Sequence, residues 1–319
     1  MAELSEKHKQ ALENAHYEIV GRHSAVEICS WNKKSLLDEG VCYKQKFYGI
    51  NSHRCCQMTP SAGWCDQKCI FCWRAQELNE GIQMNSDVDD PKEIVDGCIK
   101  AQKRKLSGFK GNEKTNMEKW KEAQEPMHFA ISLTGEPTLY PKLVELIKEI
   151  HSREKTTFLV TNGQHPEVLL KLKQENALPT QLYVSLDAPN KELHKKIDVP
   201  INKDAWERLN KTLEVLKNLD CRKVIRITLI KGINDCCIPE YAKLIKKAGN
   251  AMIEVKAYMF IGHSRKRMKE ENMPFHEDVM EFSKKLADEL GWKILDESKP
   301  SRVALLAKED FPERVMHFG

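Results

Sequence analysis

From residue 127 onward, short apolar runs alternate with polar turns and with longer segments whose apolar positions recur at helical spacing. The runs are His128–Leu133, Thr157–Val160, Gln181–Leu186, Lys223–Ile230 and Ile253–Phe260. Each suits a buried strand, and the segments between them, Pro141–His151, Pro166–Asn176, Lys203–Leu219 and Pro239–Gly249, read as helices. Cys55–Trp64 supplies one more strand ahead of these. Six βα units at this spacing predict an α/β fold, a partial (βα)6 TIM-like barrel. Upstream, residues 1–20 read as a charged amphipathic helix, and residues 25–85 are irregular and rich in Cys, Trp, Gly and Pro. A helix begins at Pro91, a residue favoured in the first turn. After a last helix, Phe275–Leu290, the stretches ILDES and RVALLA predict a two-stranded C-terminal appendage. We divide the chain into an N-terminal extension, 1–60, and a barrel with its C-terminal extension, 55–319, packed as one unit.

Composition narrows the class. The net charge of the 319 residues is +4 with 31% charged, too small an excess to argue for a nucleic-acid partner unless the charges cluster. Mean hydropathy is −0.56 and no stretch approaches the roughly 18 apolar residues of a membrane span, so no membrane association is expected. The N-terminus lacks the apolar core of a signal peptide, which predicts a cytoplasmic protein. Eleven cysteines in such a compartment stay reduced, so a disulfide framework explains them poorly. Seven of them (29, 42, 55, 56, 65, 69 and 72) crowd into the first quarter of the chain. A metal or iron–sulfur site accounts for that crowding better than scattered core thiols do.

Cys65, Cys69 and Cys72 form a CxxxCxxC with Phe71 directly before the third cysteine. Soft thiolates at this spacing can hold three irons of one cubane and leave the fourth open to an outside chelate. Zinc usually recruits paired CxxC or His instead. Barrel chemistry sits at the C-terminal ends of the strands. The segments there are Thr134-Gly-Glu-Pro137, Thr161-Asn-Gly163, Ser185-Leu-Asp-Ala188, Lys231-Gly-Ile-Asn-Asp235 and Ile261-Gly-His-Ser-Arg265, all polar or flexible. Cys29, Cys42 and Cys55 precede the motif at intervals of thirteen; spacing alone leaves open a second cluster or a set of buried thiols.

CxxxCxxC with its aromatic resembles the signature of the radical S-adenosylmethionine (SAM) enzymes, whose partial (βα)6 barrel carries that loop after the first strand. Thr134-Gly-Glu-Pro137 is similar to their SAM-binding segment after strand two, with Thr in place of the first Gly. The resemblance implies SAM contacts at Gly135 and Glu136, and at Asn162, Ser185 and Asp187 after strands three and four. It implies that a cluster electron cleaves the sulfonium and frees an adenosyl radical able to abstract hydrogen.

Five further segments resemble one family more closely: Val41–Ile50, Ser52–Pro60, Cys69–Arg74, Ser132–Thr138 and Ile261–Arg265. It is the 4-demethylwyosine synthase family of tRNA wybutosine synthesis, in its archaeal form, and the likeness runs from about Ala25 to the C-terminus. It implies a lyase-class condensation of N1-methylguanosine in tRNA-Phe with pyruvate to a tricyclic imidazopurine. It implies two [4Fe-4S] clusters, the second on Cys29, Cys42 and Cys55 with an open iron that chelates pyruvate. Cys56 is read as a bystander. The eukaryotic relatives' flavodoxin-like domain has no counterpart, so a separate flavodoxin- or ferredoxin-like electron donor is expected, and the chain is expected to be a monomer.

Lys44 or Lys46, beside Cys42, can form a Schiff base with a keto acid, and Lys44 is preferred. From Lys100 to Lys121 eight Lys/Arg face two acids around Gly108 and Gly111. This predicts a mobile basic loop at the active-site rim, matched by a second basic patch, His263–Lys269, for tRNA phosphates. Two other readings compete: a radical SAM enzyme with an auxiliary electron-relay cluster and another substrate, and a non-catalytic Fe–S or zinc RNA-binding protein.

Overall fold

In a computed structural model, described here from residue 2 to residue 318, the apolar runs pair as one ten-stranded sheet. In chain order the strands are β1 (Glu18–Val20), β2 (Ser24–Glu27), β3 (Cys55–Thr59), β4 (His128–Ile131) and β5 (Thr156–Thr161). They continue as β6 (Gln181–Ser185), β7 (Arg222–Leu229), β8 (Met252–Ala257), β9 (Lys293–Ser298) and β10 (Val303–Ala307). β3 to β8 run parallel in sequence order, the six strands that the apolar runs predict. Leu159, Leu182, Val184, Ile225, Ile227 and Ile253 are fully buried, so these strands lie between a helical layer and a filled interior.

The helices are α1 (Glu6–Asn14), α2 (Ser30–Leu36), α3 (Tyr43–Tyr48), α4 (Pro91–Leu106), α5 (Met117–Ala123) and α6 (Leu143–Ser152). Then come α7 (Pro166–Gln174), α8 (Lys191–Ile197), α9 (Ala205–Leu216), α10 (Ile238–Lys247) and α11 (His276–Leu290). α4 shows the local logic. Asp90 caps it through Lys92 N (2.9 Å), Pro91 opens it, and Ile94, Val95, Cys98, Ala101 and Leu106 bury one face against the sheet.

The chain departs from the sequence reading at its N-terminal end and in one loop. The N-terminal helix stops at Asn14; His16 takes a positive φ, and Ile19 and Val20 pair with β2 as a strand. β9 and β10 pair as the sequence reading has them, and β10 in addition pairs antiparallel with β8, which makes the two strands the edge of the barrel sheet. The basic stretch is ordered rather than loose. α4 runs through Lys100 to Leu106, and Asn116 Oδ1 caps α5 from Glu118 N and Lys119 N (both 3.1 Å). It also lies before β4, at the end of the barrel opposite the cysteine motif. There Lys103 pairs with Glu125 (2.9 Å) and Lys119 with Asp38 (2.5 Å). Among the described residues no helix is long and apolar enough to cross a membrane.

Candidate active site: two cysteine triads in one barrel

At the C-terminal ends of the strands a cavity of about 320 Å³ opens. Cys65, Cys69 and Cys72 line it together with Gly135, Glu136, Asn162, Ser185 and Asp187. Every residue expected at the SAM site therefore faces one space.

The cysteine loop is held from three sides. Lys68 N and Ile70 N donate to Asp198 O (3.1 Å) and Ile197 O (2.8 Å), and the Arg267 Nε donates to Ile70 O (3.2 Å) while its Nη2 donates to Cys72 O. Buried Asp66 accepts from Asn162 Nδ2 (2.7 Å), His165 Nε2 (3.0 Å) and Asn202 Nδ2 (3.2 Å). The Asn162 side chain is thus committed to tying the loop to the turn after β5. Glu136 does similar work: its carboxylate accepts from Thr138 Oγ1 (2.6 Å), Thr161 Oγ1 (2.7 Å) and Asn162 N (2.8 Å). Burial raises its pKa nonetheless, and nearby Asp66 adds to the rise. Gly135 has φ +70°, and a Cβ there would stand 1.9 Å from Ser61 O, so the strand-two turn closes on the loop only with glycine. Asp187 accepts from Thr228 N (2.7 Å), and burial pushes its carboxyl up to about 6.

Burial raises all three thiols, and Cys69 is raised further by Asp198 and by Cys72 and Cys65. Among the described residues no three His, Cys, Asp or Glu side chains converge as ligands of a single ion. A cubane asks for something different: each cysteine takes its own iron, so the thiols stand apart around a shared centre. Three cysteines of one loop lining one cavity fit that group.

The upstream cysteines form a second group. Cys29 and Cys42 are the N-cap residues of α2 and α3, and Cys55 is the first residue of β3. Burial pushes the Cys29 thiol up to about 11, with Cys42 adding to it; Cys55 is raised well above the usual range by burial and by Cys29 and Cys42. The Cys29 Sγ accepts from Asn32 N (3.4 Å). Cys56 points to the other side of β3 and packs by Cys98 in the core.

Lys44, on α3, reaches into the barrel. Its Nζ lies 4.5 Å from the Tyr183 ring centre and 5.4 Å from that of Phe158. Burial lowers its pKa, and the Arg226 charge lowers it further. Lys46 is exposed and bonded to Asp296 (2.6 Å). Val160 and Ser185, two residues along β5 and β6 from Phe158 and Tyr183 and on the same face, line the cavity. One two-residue step of a strand is about 7 Å, so Lys44 sits one side-chain layer below the cavity floor.

At the mouth, Arg74 is wedged between the Trp73 and Tyr17 rings (4.0 and 4.5 Å), and its Nη2 donates to Leu133 O (2.6 Å). Burial lowers its pKa to about 9. Trp73 is 42% exposed beside the basic turn at Gly262–Lys266. Asp198, His165 and Glu254 lie outside every motif read from the sequence, and only their position in the fold marks them. Asp66, Arg74 and Arg267 fall inside segments that were read, but the supporting roles they play there were not.

The model of the Radical SAM superfamily matches residues 59–245, and that of Wyosine base formation matches residues 247–308. The S-adenosyl-L-methionine-dependent tRNA 4-demethylwyosine synthase of Pyrococcus abyssi is 51% identical over 296 residues, 92% of this chain and 86% of the relative. The Methanocaldococcus jannaschii enzyme of the same name is 41% identical over 96% of this chain and 97% of its own. The structure of TYW1 with a lysine-pyruvate adduct bound superposes with a TM-score of 0.88 at 39% identity, covering 98% of this chain and 99% of that one.

Proposed function

The chain belongs to the radical SAM tRNA 4-demethylwyosine synthase family, and from that premise we propose that it joins pyruvate to N1-methylguanosine in tRNA-Phe, with Lys44 as the residue that binds the keto acid covalently. The observation that carries this reading is the stacking of two thiol groups in one barrel with a desolvated lysine beside the inner one.

Cys65, Cys69 and Cys72 would hold one [4Fe-4S] cluster and Cys29, Cys42 and Cys55 a second. When bound, the first supplies the electron that cleaves SAM and the second an open iron as Lewis acid toward the keto acid. The turns carrying Gly135, Glu136, Asn162, Ser185 and Asp187 would hold and orient SAM; Glu136 supports them by fixing the backbone at Thr138 and Asn162, and Asp66 by holding the Asn162 side chain. The buried Lys44 amine, depressed by desolvation and by Arg226, attacks the C2 carbonyl of pyruvate and loses water to give an imine. The apolar ring faces of Tyr183 and Phe158 keep water from reversing that step. The methylguanine enters through the mouth after leaving the anticodon stack, near Trp73 and the basic turn. Electrons come from a separate flavodoxin- or ferredoxin-like protein, and the chain works as a cytoplasmic monomer.

The test is anaerobic turnover of the reconstituted protein with SAM, dithionite, pyruvate and tRNA-Phe bearing N1-methylguanosine. Lys44→Met is expected to abolish the tricyclic nucleoside while SAM cleavage to 5′-deoxyadenosine continues. Undiminished nucleoside from Lys44→Met would remove Lys44 from the chemistry.

A further inference from the structure

Below the cavity, the barrel buries more positive charge than the imine chemistry uses. Glu254 on β8 is fully buried and accepts from Tyr48 Oη (2.6 Å), Tyr43 Oη (2.9 Å) and Arg226 Nη2 (3.0 Å) and Nε (3.2 Å). The Arg226 Nη2 also donates to Tyr43 Oη (2.8 Å), and its guanidinium lies over Tyr183. Arg226 and Glu254 thus neutralise each other, and their two tyrosine partners belong to α3, the helix that presents Lys44. Two cations are left over. Neither makes an ion pair within 4 Å among the described residues: Lys44 lies against two ring faces, and Lys256, two residues beyond Glu254 on the same face of β8, feels the Glu254 charge only at a distance. Lys256 Nζ donates to Ser301 O (3.1 Å) and stands 5.1 Å from the centre of the Tyr43 ring, the residue preceding Lys44.

A 2-keto acid carries its carboxylate on the carbon next to the one Lys44 attacks, so the group that binds the carboxylate must lie within a side chain's reach of Lys44. Arg226 is occupied by Glu254 and Tyr43. Lys46 is outside the barrel on Asp296. We propose that Lys256 binds the carboxylate of the keto acid that condenses with Lys44, and so selects a 2-keto acid over a neutral carbonyl compound. The inference rests on the Lys44 reading above. Burial and Arg226 lower Lys256 only to about 8, so it meets the substrate at neutral pH as a cation. A carboxylate arriving there would be the first to pair directly with Lys256, since Glu254 is already engaged by Arg226, Tyr43 and Tyr48.

The experiment traps the imine on the full-length reconstituted protein with cyanoborohydride and reads the Lys44 adduct by peptide mass spectrometry. Pyruvate and its neutral isostere pyruvamide are titrated against wild type, Lys256→Met and Lys256→Arg, with iron per chain measured in each. Lys256→Met is expected to raise half-saturating pyruvate about ten- to a hundredfold, the range for a lost charge-assisted hydrogen bond. Pyruvamide trapping should stay within about twofold of wild type, Lys256→Arg should recover most of the pyruvate loss, and iron should hold constant. Unchanged pyruvate trapping in Lys256→Met would put the carboxylate elsewhere, on the cluster iron for example, and overturn the inference. So would an equal loss for pyruvate and pyruvamide, or a fall in iron, either of which makes Lys256 a structural cation. Absence of any adduct on wild-type Lys44 would remove the Lys44 reading itself, a result read from the wild type alone.

Discussion

The smallest features of the site set its tolerances. Gly135 combines a left-handed backbone with a Cβ position already filled by Ser61 O. Gly135→Ala should therefore cost about 2 kcal/mol or more in chemical denaturation and abolish SAM binding by calorimetry; wild-type stability and affinity would show that the turn has another way to close. Arg267 is the second case. Two separate nitrogens of its planar guanidinium hold Ile70 O and Cys72 O at once, a spread that the single ammonium nitrogen of a lysine does not reproduce. Arg267→Lys is expected to lower iron on the CxxxCxxC loop by about half and leave the second set of cysteines loaded, read as iron per chain. Full iron in that variant would make the clamp dispensable. The cysteines themselves were legible in the sequence because soft ligands crowd visibly. Their supports were not: Asp66, Asp198 and Arg267 are ordinary charged residues until the fold buries them, and Asn162, read as a ligand contact, has its amide engaged by Asp66.

Among the elements, those with long periodic patterns were readable and those of six or seven residues were not. β4 to β8 announced themselves as apolar runs. α2 and α3 did not, since helices of seven and six residues show under two turns of periodicity, yet they present Cys29, Cys42 and Lys44. The chain just after α3 is tied to the sheet by His128 of β4: its Nε2 accepts from Asn51 N (3.0 Å) and its Nδ1 donates to Thr156 Oγ1 (2.7 Å), which fixes a neutral ring. Burial lowers His128 to about 3, and it lowers His194 of α8 to about 4. Both folded values lie below the ordinary 6.5, so the unfolded chain binds these protons first. Their contribution to stability is complete above about pH 6.5 and is lost as the pH falls toward 4 and then 3. Each histidine steepens the acid side by about 1.4 kcal/mol per pH unit. Urea unfolding between pH 7 and pH 4 should show that slope, reduced in His128→Asn; an unchanged slope would mean the ring is not held neutral.

At the scale of the molecule, the two basic patches part company. Both were read as rim features, but Lys100–Lys121 closes the far end of the barrel, where Arg104, Lys103 and Lys119 pair with Glu18, Glu125 and Asp38. Sequence order could not reveal this, because the direction of α4 decides which end a charge reaches. The turn at Gly262–Lys266 does stand at the mouth, with Arg265 and Lys266 exposed. Charge reversal of Arg265 and Lys266 should weaken tRNA binding several-fold and reduce the slope of log affinity against log salt by about 1 to 2. The same change at Lys110 and Lys114 should leave both nearly unaltered, and the opposite ranking would move the tRNA to the other end.

We propose that one barrel holds two clusters on two sets of three cysteines. Iron and sulfide per chain after anaerobic reconstitution test it most directly, wild type against Cys29→Ala/Cys42→Ala/Cys55→Ala. About eight irons are expected to fall to about four, with SAM cleavage retained on the remaining cluster. About four irons in both proteins would leave the radical SAM site standing and contradict the second cluster.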